Sequence, residues 1–290
     1  MAANTRDIRR RIKSIRNTSQ ITKAMQMVAA AKMRKAQQAA LAGRPYAELM
    51  NKVLVSLHGR TDENTHPLLE SRTVNRELVL VITTDKGLCG GLNTNLLREL
   101  SRFDPAKTCF VAAGRKGMQF LARTKRDLLA DFNLKDSPGF LDTKIISKFC
   151  MERFLFRDVD KVSVLFTKFI NTLTQKPTVR TLLPISPFEL EQITSDAEQL
   201  PAQLTTEYLF EPSPHEVLNG ILPHYVHFQI YQTVLDARAS EHSARMVAMK
   251  NATDNAKQLI KDLTLEYNKL RQASITTELL EIATAQMALG

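Results

Sequence analysis

Two glycine-rich segments contain residue types that could bind a phosphate group. The first, 87–93 (GLCGGLN), follows a β-branched run and precedes a helical pattern, which is where nucleotide-binding folds place phosphate. Its glycines match neither GxxxxGK[ST] nor GxGxxG, so a tight turn is the simpler interpretation. The second, 114–117 (GRKG), is basic and could hold an anion, although the geometry of a strand-to-helix turn also explains its glycines.

The other residues capable of chemistry form no catalytic or metal-binding pattern. His224 and His227 could share a helix face, but their aromatic neighbours favour a partly buried pair over a metal site. Cys89 stands near a predicted helix start, which could activate its thiol, but nothing else supports a catalytic cysteine. Cys89, Cys109 and Cys150 lack a CxxC spacing and indicate a reducing compartment. We predict no active site, no cofactor and no metal.

Strands alternating with short helices must position the two glycine turns. The run ELVLVITT has the composition of a buried strand, and the turn after it leads into a helix from about Asn93. The predicted strands are 77–84, 108–113, 161–168 and 178–183, with a second short helix at 118–124. This alternation predicts a small, mostly parallel α/β sheet. Five prolines between 184 and 214 predict a connection rather than a further layer.

Long helices are predicted at both ends of the chain. Residues 1–42 and 224–289 contain neither glycine nor proline, so unbroken helices there would reach roughly 60 and 100 Å. Two short seams of apolar residues support a slender two-helix rod. One seam is Ile8, Ile12 and Ile15; the other is Met249, Ala252, Ala256, Leu259 and Leu263, continued after a stutter by Tyr267 and Leu270.

The positive charge of the chain is concentrated at its N-terminal end. The net charge is +10, yet residues 1–60 contain thirteen basic and two acidic side chains. The basic stripe opposite the first seam consists of Arg6, Arg9, Arg10, Lys13 and Arg16. Such a stripe suits nucleic-acid phosphates, a protein collar lined with carboxylates, or a merely solvated face. Composition does not choose among these, although Tyr46 is the only aromatic residue in this region.

Composition excludes several classes of protein. A hydrophobic content of 43% is too high for a disordered chain, and no apolar run approaches the roughly 18 residues of a membrane span. No apolar segment of the signal-peptide type follows the N-terminal charges. An Arg-rich start also occurs in mitochondrial transit peptides, but here it continues into a long helical pattern. We therefore expect a cytoplasmic setting.

Several blocks of the sequence closely resemble the γ-subunit family of F-type ATP synthases, in its bacterial form. The resemblance follows the family order along nearly the whole chain. It is carried by ITKAMQMVAAAKMRKAQ at 21–37, RPY at 44–46, DKGLCGGLN at 85–93, GRKG at 114–117, YLFEPSP at 208–214, ASEHSARMVAMKNATDN at 239–255 and YNKLRQASITTE at 267–278.

The resemblance implies a fold and a role. It implies an antiparallel coiled coil of the N- and C-terminal helices, with an inserted Rossmann-like α/β domain. Divided accordingly, residues 1–60 and 215–290 are shaft helices, and 61–214 form the α/β domain with its Pro-rich connection. The family member is a rotor shaft without nucleotide or cofactor, coupling proton flow through a membrane c-ring to ATP synthesis at the β subunits of an α3β3 ring. The alternative from another class is a basic coiled-coil nucleic-acid-binding protein.

The resemblance also assigns contact residues and a location. Contacts with the α3β3 ring are expected at Lys23, Met25, Gln26, Arg245, Gln272, Thr276 and Glu278. Contacts with the ε subunit and the c-ring are expected at Tyr208, Phe210 and Glu211. The expected location is the cytoplasmic face of the bacterial inner membrane, as a peripheral protein, because no removable presequence precedes the matching start. Ala285-Gln286 replaces a usual Gly-Ala pair, which favours continued helix.

Overall fold

The computed structural model describes residues 5–58, 66–185, 210–211 and 213–289. The chain forms two compact units, one of residues 1–30 with 245–290 and one of residues 31–244. The elements in chain order are α1 (Thr5–His58), β1 (Glu77–Ile82), α2 (Leu92–Glu99), β2 (Thr108–Ala113), α3 (Arg115–Arg123), β3 (Leu128–Phe132), α4 (Phe140–Leu155), β4 (Lys161–Phe169), β5 (Gln175–Leu183) and α5 (Pro214–Leu289).

A five-stranded sheet forms the centre of the larger unit. Its strand order is β3-β2-β1-β4-β5, with parallel pairing throughout except between β4 and β5. The prediction of a small, mostly parallel α/β sheet is therefore confirmed. The edge strand β3 and helix α4 were not predicted. In β3 the side chains alternate between half-buried and exposed, which is a weaker signal than a continuous apolar run.

Side chains on the two faces of the sheet enter two separate apolar cores. Leu78, Leu80 and Ile82 of β1 join a core that also contains residues of α1, α4 and α5. Val79 and Val81 point to the other face and meet residues of α2 and α3. Because both faces are covered, the strands are buried on both sides, which explains their continuous β-branched runs.

The smaller unit consists of two antiparallel helical segments. The hydroxyl groups of Thr22 and Thr253 share a hydrogen bond of 2.7 Å. Nearer the chain start, Arg9 donates to the hydroxyl group of Tyr267, with its guanidinium carbon 5.4 Å from the ring centroid. Residue number rises along one helix as it falls along the other, so the pair is antiparallel. Ile8, Ile12 and Ile15 face the partner helix as predicted, and the basic stripe is exposed.

The seam of α5 differs from the predicted one. Leu259 is 51% exposed, whereas Thr253 and Ile260 face inward. The inward positions form an uninterrupted heptad without a stutter: Met249, Thr253, Ala256, Ile260, Leu263, Tyr267 and Leu270. The prediction of Leu259 and of a stutter was wrong because a buried threonine was not recognised as a seam residue, whereas Ala252 is half-buried beside the seam.

Helices α1 and α5 continue through Pro45 and Pro223, respectively. The predicted boundary at 60/61 lies outside the described residues, as does most of the Pro-rich connection. The predicted boundary at 214/215 falls on the first residue of α5. Ala285 and Gln286 are helical, as their propensities favoured. In the described ranges, no helix is both long and apolar enough to cross a lipid bilayer.

Candidate functional site

The backbone N–H groups of the basic glycine turn at 114–117 bond to the neighbouring turn at 83–85. The first backbone N–H groups of a helix have no partner within the helix. In α3 the loop after β1 supplies these partners. The N–H of Arg115 donates to Asp85 Oδ1 at 3.0 Å, and the N–H of Gly117 donates to Thr83 Oγ1 at 2.8 Å. The N–H of Lys116 donates to the carbonyl of Thr84, so these donors are not directed at an anion.

Glycine is required in this turn by a close backbone approach. Gly114 has φ of 115°, a conformation that L side chains rarely adopt. A Cβ at this position would lie 2.3 Å from the carbonyl oxygen of Thr83. A Cβ on Gly117 would lie 3.0 Å from the side chain of the same threonine. Packing between two turns therefore explains both glycines.

The turn at 87–93 is held by its own side chains. Leu88 and Gly90 have positive φ, and Asn93 fixes the loop by donating to Thr84 Oγ1 at 2.8 Å. The same amide lies 3.5 Å from the sulfur of Cys89, which is buried beneath the loop. The arrangement is a closed turn, in agreement with the simpler interpretation.

Helix α5 occupies the crevice where ligands bind in other folds of this kind. In open parallel sheets the ligand site lies beyond the carboxyl ends of the strands, where the strand order reverses. Here that point lies between β1 and β4. A small cavity at this place is lined by residues after β1, by α2, by Thr167 of β4 and by Ala237, Arg238 and Glu241 of α5.

A buried arginine connects α5 to the loops at this edge of the sheet. Only 4% of the Arg238 side chain is exposed. Its Nη1 lies 2.7 Å from Glu241 Oε2, and its Nη2 lies 3.4 Å from Asp85 Oδ2. The same Nη2 donates to the carbonyl of Leu134 at 3.0 Å. The guanidinium group is therefore bonded to acceptors of the protein itself and is not directed at a phosphate group.

His224, His227 and the three cysteines take part in packing within the larger unit. His227 shares a hydrogen bond with Ser147, and burial lowers its pKa to about 4, with a further contribution from Lys144. His224 instead packs against the rings of Tyr46 and Phe140. In the described ranges no group of three or more His, Cys, Asp or Glu side chains could hold a metal ion. All three cysteines are buried, and burial raises the pKa of Cys150 to about 12.

The contact residues implied by the resemblance lie on different parts of the chain. Lys23, Gln272, Thr276 and Glu278 are exposed, while Met25, Gln26 and Arg245 are half-buried. Thr276 Oγ1 donates to the carbonyl of Gln272, a bond within the helix that keeps its side chain close to the backbone. Phe210 packs against the larger apolar core and Glu211 is exposed. Tyr208 lies outside the described residues.

Sequence reasoning did not identify the cluster around Arg238. Asp85 and Arg238 are 153 residues apart, so no local spacing joins them. The available signal was the polar run RASEHS in a long helix, where the seam pattern predicts some apolar residues.

Comparisons with known proteins agree with this architecture. The chain matches the ATP synthase family over residues 4–289. It is 53% identical to the ATP synthase gamma chain of Methylacidiphilum infernorum, covering 99% of this chain and all of that one. It is 52% identical to the ATP synthase gamma chain of Opitutus terrae, covering 99% of both.

Solved structures show the same fold. A chain of the Tetrahymena thermophila mitochondrial ATP synthase central stalk and c-ring superposes with a TM-score of 0.60 at 26% identity, covering 80% of this chain and 99% of that one. A chain of the Euglena gracilis mitochondrial ATP synthase has a TM-score of 0.69 at 20% identity, covering 98% of this chain and 94% of that one. With two long terminal helices, a central mixed sheet and relatives matched along nearly their full length, the chain belongs to the ATP synthase gamma chain family.

Proposed function

We propose that this gamma chain is the central rotor shaft of an F-type ATP synthase. It couples proton flow through the membrane c-ring to ATP synthesis and hydrolysis at the β subunits of the α3β3 ring. Gamma chains are non-catalytic subunits, and the chemistry takes place on the β subunits. Each orientation of the shaft favours a different nucleotide affinity at each β site. Rotation of the shaft and nucleotide binding are therefore thermodynamically coupled.

The exposed end of helix α5 is the observation that carries this proposal. Because both helices rise by ~1.5 Å per residue, the register of Thr22 with Thr253 places the start of α1 opposite a residue near Arg271. Beyond that point α5 has no facing segment of described α1, and large apolar side chains are exposed. They are Ile275, Leu279, Leu280, Ile282 and Met287. Contiguous exposed apolar surface of this kind marks a protein interface.

The basic stripe on α1 suits a collar of carboxylates. Arg6, Arg10 and Lys13 are exposed and lie on the side opposite the seam. Charge at an interface of this kind steers and positions a partner more than it adds affinity. The anionic partner that we propose is therefore protein.

Contacts with the ring involve both helices of the smaller unit. We assign them to Lys23, Met25, Gln26, Arg245, Gln272, Thr276 and Glu278. Four of these residues are exposed and three are half-buried. Each can therefore contact a neighbouring subunit with no more than a small change of rotamer.

Contacts with the ε subunit and the c-ring are assigned to Tyr208, Phe210 and Glu211. Glu211 is exposed next to Phe210, which is anchored in the core of the α/β domain. An exposed carboxylate beside an anchored aromatic residue gives a fixed point for docking. We also propose that this chain is a peripheral protein at the cytoplasmic face of the bacterial inner membrane.

A charge placed on the shaft tests the ring contact. Met25→Lys adds a cation at a half-buried position, and Met27→Lys adds the same cation at a neighbouring position that is 60% exposed. We expect Met25→Lys to lower ATP-driven proton pumping per ATP hydrolysed more than Met27→Lys does. Equal pumping ratios in the two variants and the wild type contradict the assigned contact.

Purification of the tagged chain separates the proposal from nucleic-acid binding. Stoichiometric recovery of the α and β subunits supports the shaft. Failure to recover them, together with DNA binding whose affinity falls steeply with salt, supports the nucleic-acid alternative.

A further inference from the structure

Helix α5 contains a stretch in which every residue is buried although most are polar. All side chains from 237 to 243 are at most 8% exposed. The polar members are Arg238, Ser240, Glu241, His242 and Ser243. Burying polar groups is unfavourable unless they find partners, so this stretch is held by directional bonds rather than by apolar contact alone.

These bonds reach loops that follow three different strands. Arg238 connects to Asp85 after β1 and to the carbonyl of Leu134 after β3. Ser240 Oγ donates to the carbonyl of Thr167 in β4 at 2.9 Å. Ser243 Oγ donates to the carbonyl of Thr172, in the turn that joins β4 to β5, at 2.8 Å. The helix is thereby fixed to nearly the whole width of the sheet.

The charges around Arg238 make this the firmest of the attachments. Its guanidinium group bonds to Glu241 on its own helix and to acceptors on two loops of the sheet. Lys32 of α1 pairs with Asp136 at the same edge, but both of those side chains are more than 40% exposed. An exposed pair contributes little, whereas a buried charge deprived of its partner is strongly unfavourable.

We propose that Arg238 is a positioning residue for energy coupling, through which torque on the α/β domain enters helix α5. This inference rests on the proposed function as a rotor. Apolar contacts are non-directional, so they define the angle between a helix and a sheet less specifically than hydrogen bonds do. A planar guanidinium group that is bonded to acceptors on the helix and on the loops of the sheet fixes the angle between helix and sheet.

The test uses two arginines of similar chemistry. Arg72 is also largely buried, bonds to a carboxylate (Glu70) and to a backbone carbonyl (Phe154), and has an unpartnered Nε like Arg238. These partners lie on a loop and on α4, and not on α1 or α5. Arg238→Met and Arg72→Met are each introduced into the complete ATP synthase, reconstituted in vesicles, with Arg238→Lys as the conservative variant.

We expect Arg238→Met to hydrolyse ATP but to pump fewer protons per ATP, with Arg238→Lys intermediate and Arg72→Met at the wild-type ratio. Hydrogen exchange in the assembled complex should show that residues 237–243 open about 100-fold more often in Arg238→Met and not in Arg72→Met. The reason is that breaking a buried ion pair raises the equilibrium constant for local opening by at least about 100-fold. A merely structural role lowers the yield of complex and leaves the pumping ratio unchanged. That result overturns the proposal.

A milder variant keeps the test decisive if Arg238→Met does not assemble. Asp85→Asn retains the oxygen that caps α3 and removes the charge facing Arg238. A pumping ratio below that of Arg72→Met supports the inference, and a wild-type ratio refutes it. The wild-type chain tests the rotor function separately. If the wild-type complex pumps protons and the variants pump the same number of protons per ATP, only the proposed role of Arg238 is refuted. If the wild-type chain does not join α and β subunits, the rotor function itself fails.

Discussion

Replacing Gly114 by alanine tests whether the basic glycine turn exists for packing. The added Cβ would lie 2.3 Å from the carbonyl oxygen of Thr83 and 2.8 Å from its Oγ1. The first of these atoms belongs to the backbone at the end of β1, which cannot move without disturbing the sheet. The second accepts the N–H of Gly117, so the first turn of α3 is also disturbed.

The expected loss of stability combines two effects. A non-glycine residue held in a glycine-only backbone region costs about 1–3 kcal/mol. Inserting a methyl group into a closely packed site adds about 1–3 kcal/mol. The change should therefore reduce the free energy of unfolding by about 4 kcal/mol. This loss is large, because the total free energy of unfolding of a protein is typically about 5–15 kcal/mol.

Two other glycines in the same region provide matched controls. A Cβ on Gly90 meets no atom within 4 Å, but its φ is 60°, so alanine there should cost only about 1 kcal/mol. A Cβ on Gly87 would also meet no atom within 4 Å, and its φ is not positive, so alanine there should change stability by less than about 0.5 kcal/mol. Urea unfolding of the three purified full-length variants measures the series. A loss for Gly114→Ala no larger than that for Gly90→Ala refutes the packing explanation.

Three further predictions concern a histidine and the helical seam. The pKa of His227 is lowered from 6.5 to about 4, so the unfolded chain takes up this proton at a higher pH than the folded chain does. Stability should therefore be full above pH 6.5 and decline as the pH falls towards 4. His227→Gln should remove this part of the pH dependence of unfolding. Single Thr22→Val and Thr253→Val changes should each cost about 0.5–1.5 kcal/mol in thermal unfolding, because the hydrogen bond between the two hydroxyl groups is lost while the remaining one still bonds to a carbonyl of its own helix. The double variant should cost less than the sum, since the shared bond can be lost only once. Ile260→Ala should cost about 1–2 kcal/mol and Leu259→Ala under about 0.5 kcal/mol, because only Ile260 faces the partner helix; equal losses contradict the observed seam.

Local patterns predicted the elements whose signals are strong. The β-branched run before Thr83 and the run at Thr108–Ala113 became β1 and β2, which are interior strands of the sheet, because strands buried on both faces need continuous apolar residues. The absence of glycine and proline predicted the terminal helices. Strand β3 was missed because only every second residue of this edge strand is half-buried, while Leu129 and Asp131 between them are exposed.

Long-range polar contacts could not be predicted from the sequence. A seam threonine such as Thr253 reads as a surface residue until its hydroxyl partner on the other helix is known. Asp85 similarly reads as a turn residue, although it caps α3 and faces Arg238. Both roles depend on residues that tertiary structure brings together, so no periodicity within one element reveals them.

Direct observation of rotation tests the rotor function most directly. Complexes of this chain with α and β subunits are fixed to a surface through the ring, and a probe is attached at Lys135→Cys, a position whose native side chain is 77% exposed. When ATP is added, we expect the probe to rotate stepwise in one direction and to stop when ATP is removed. A stable complex that hydrolyses ATP while the probe stays still contradicts the account.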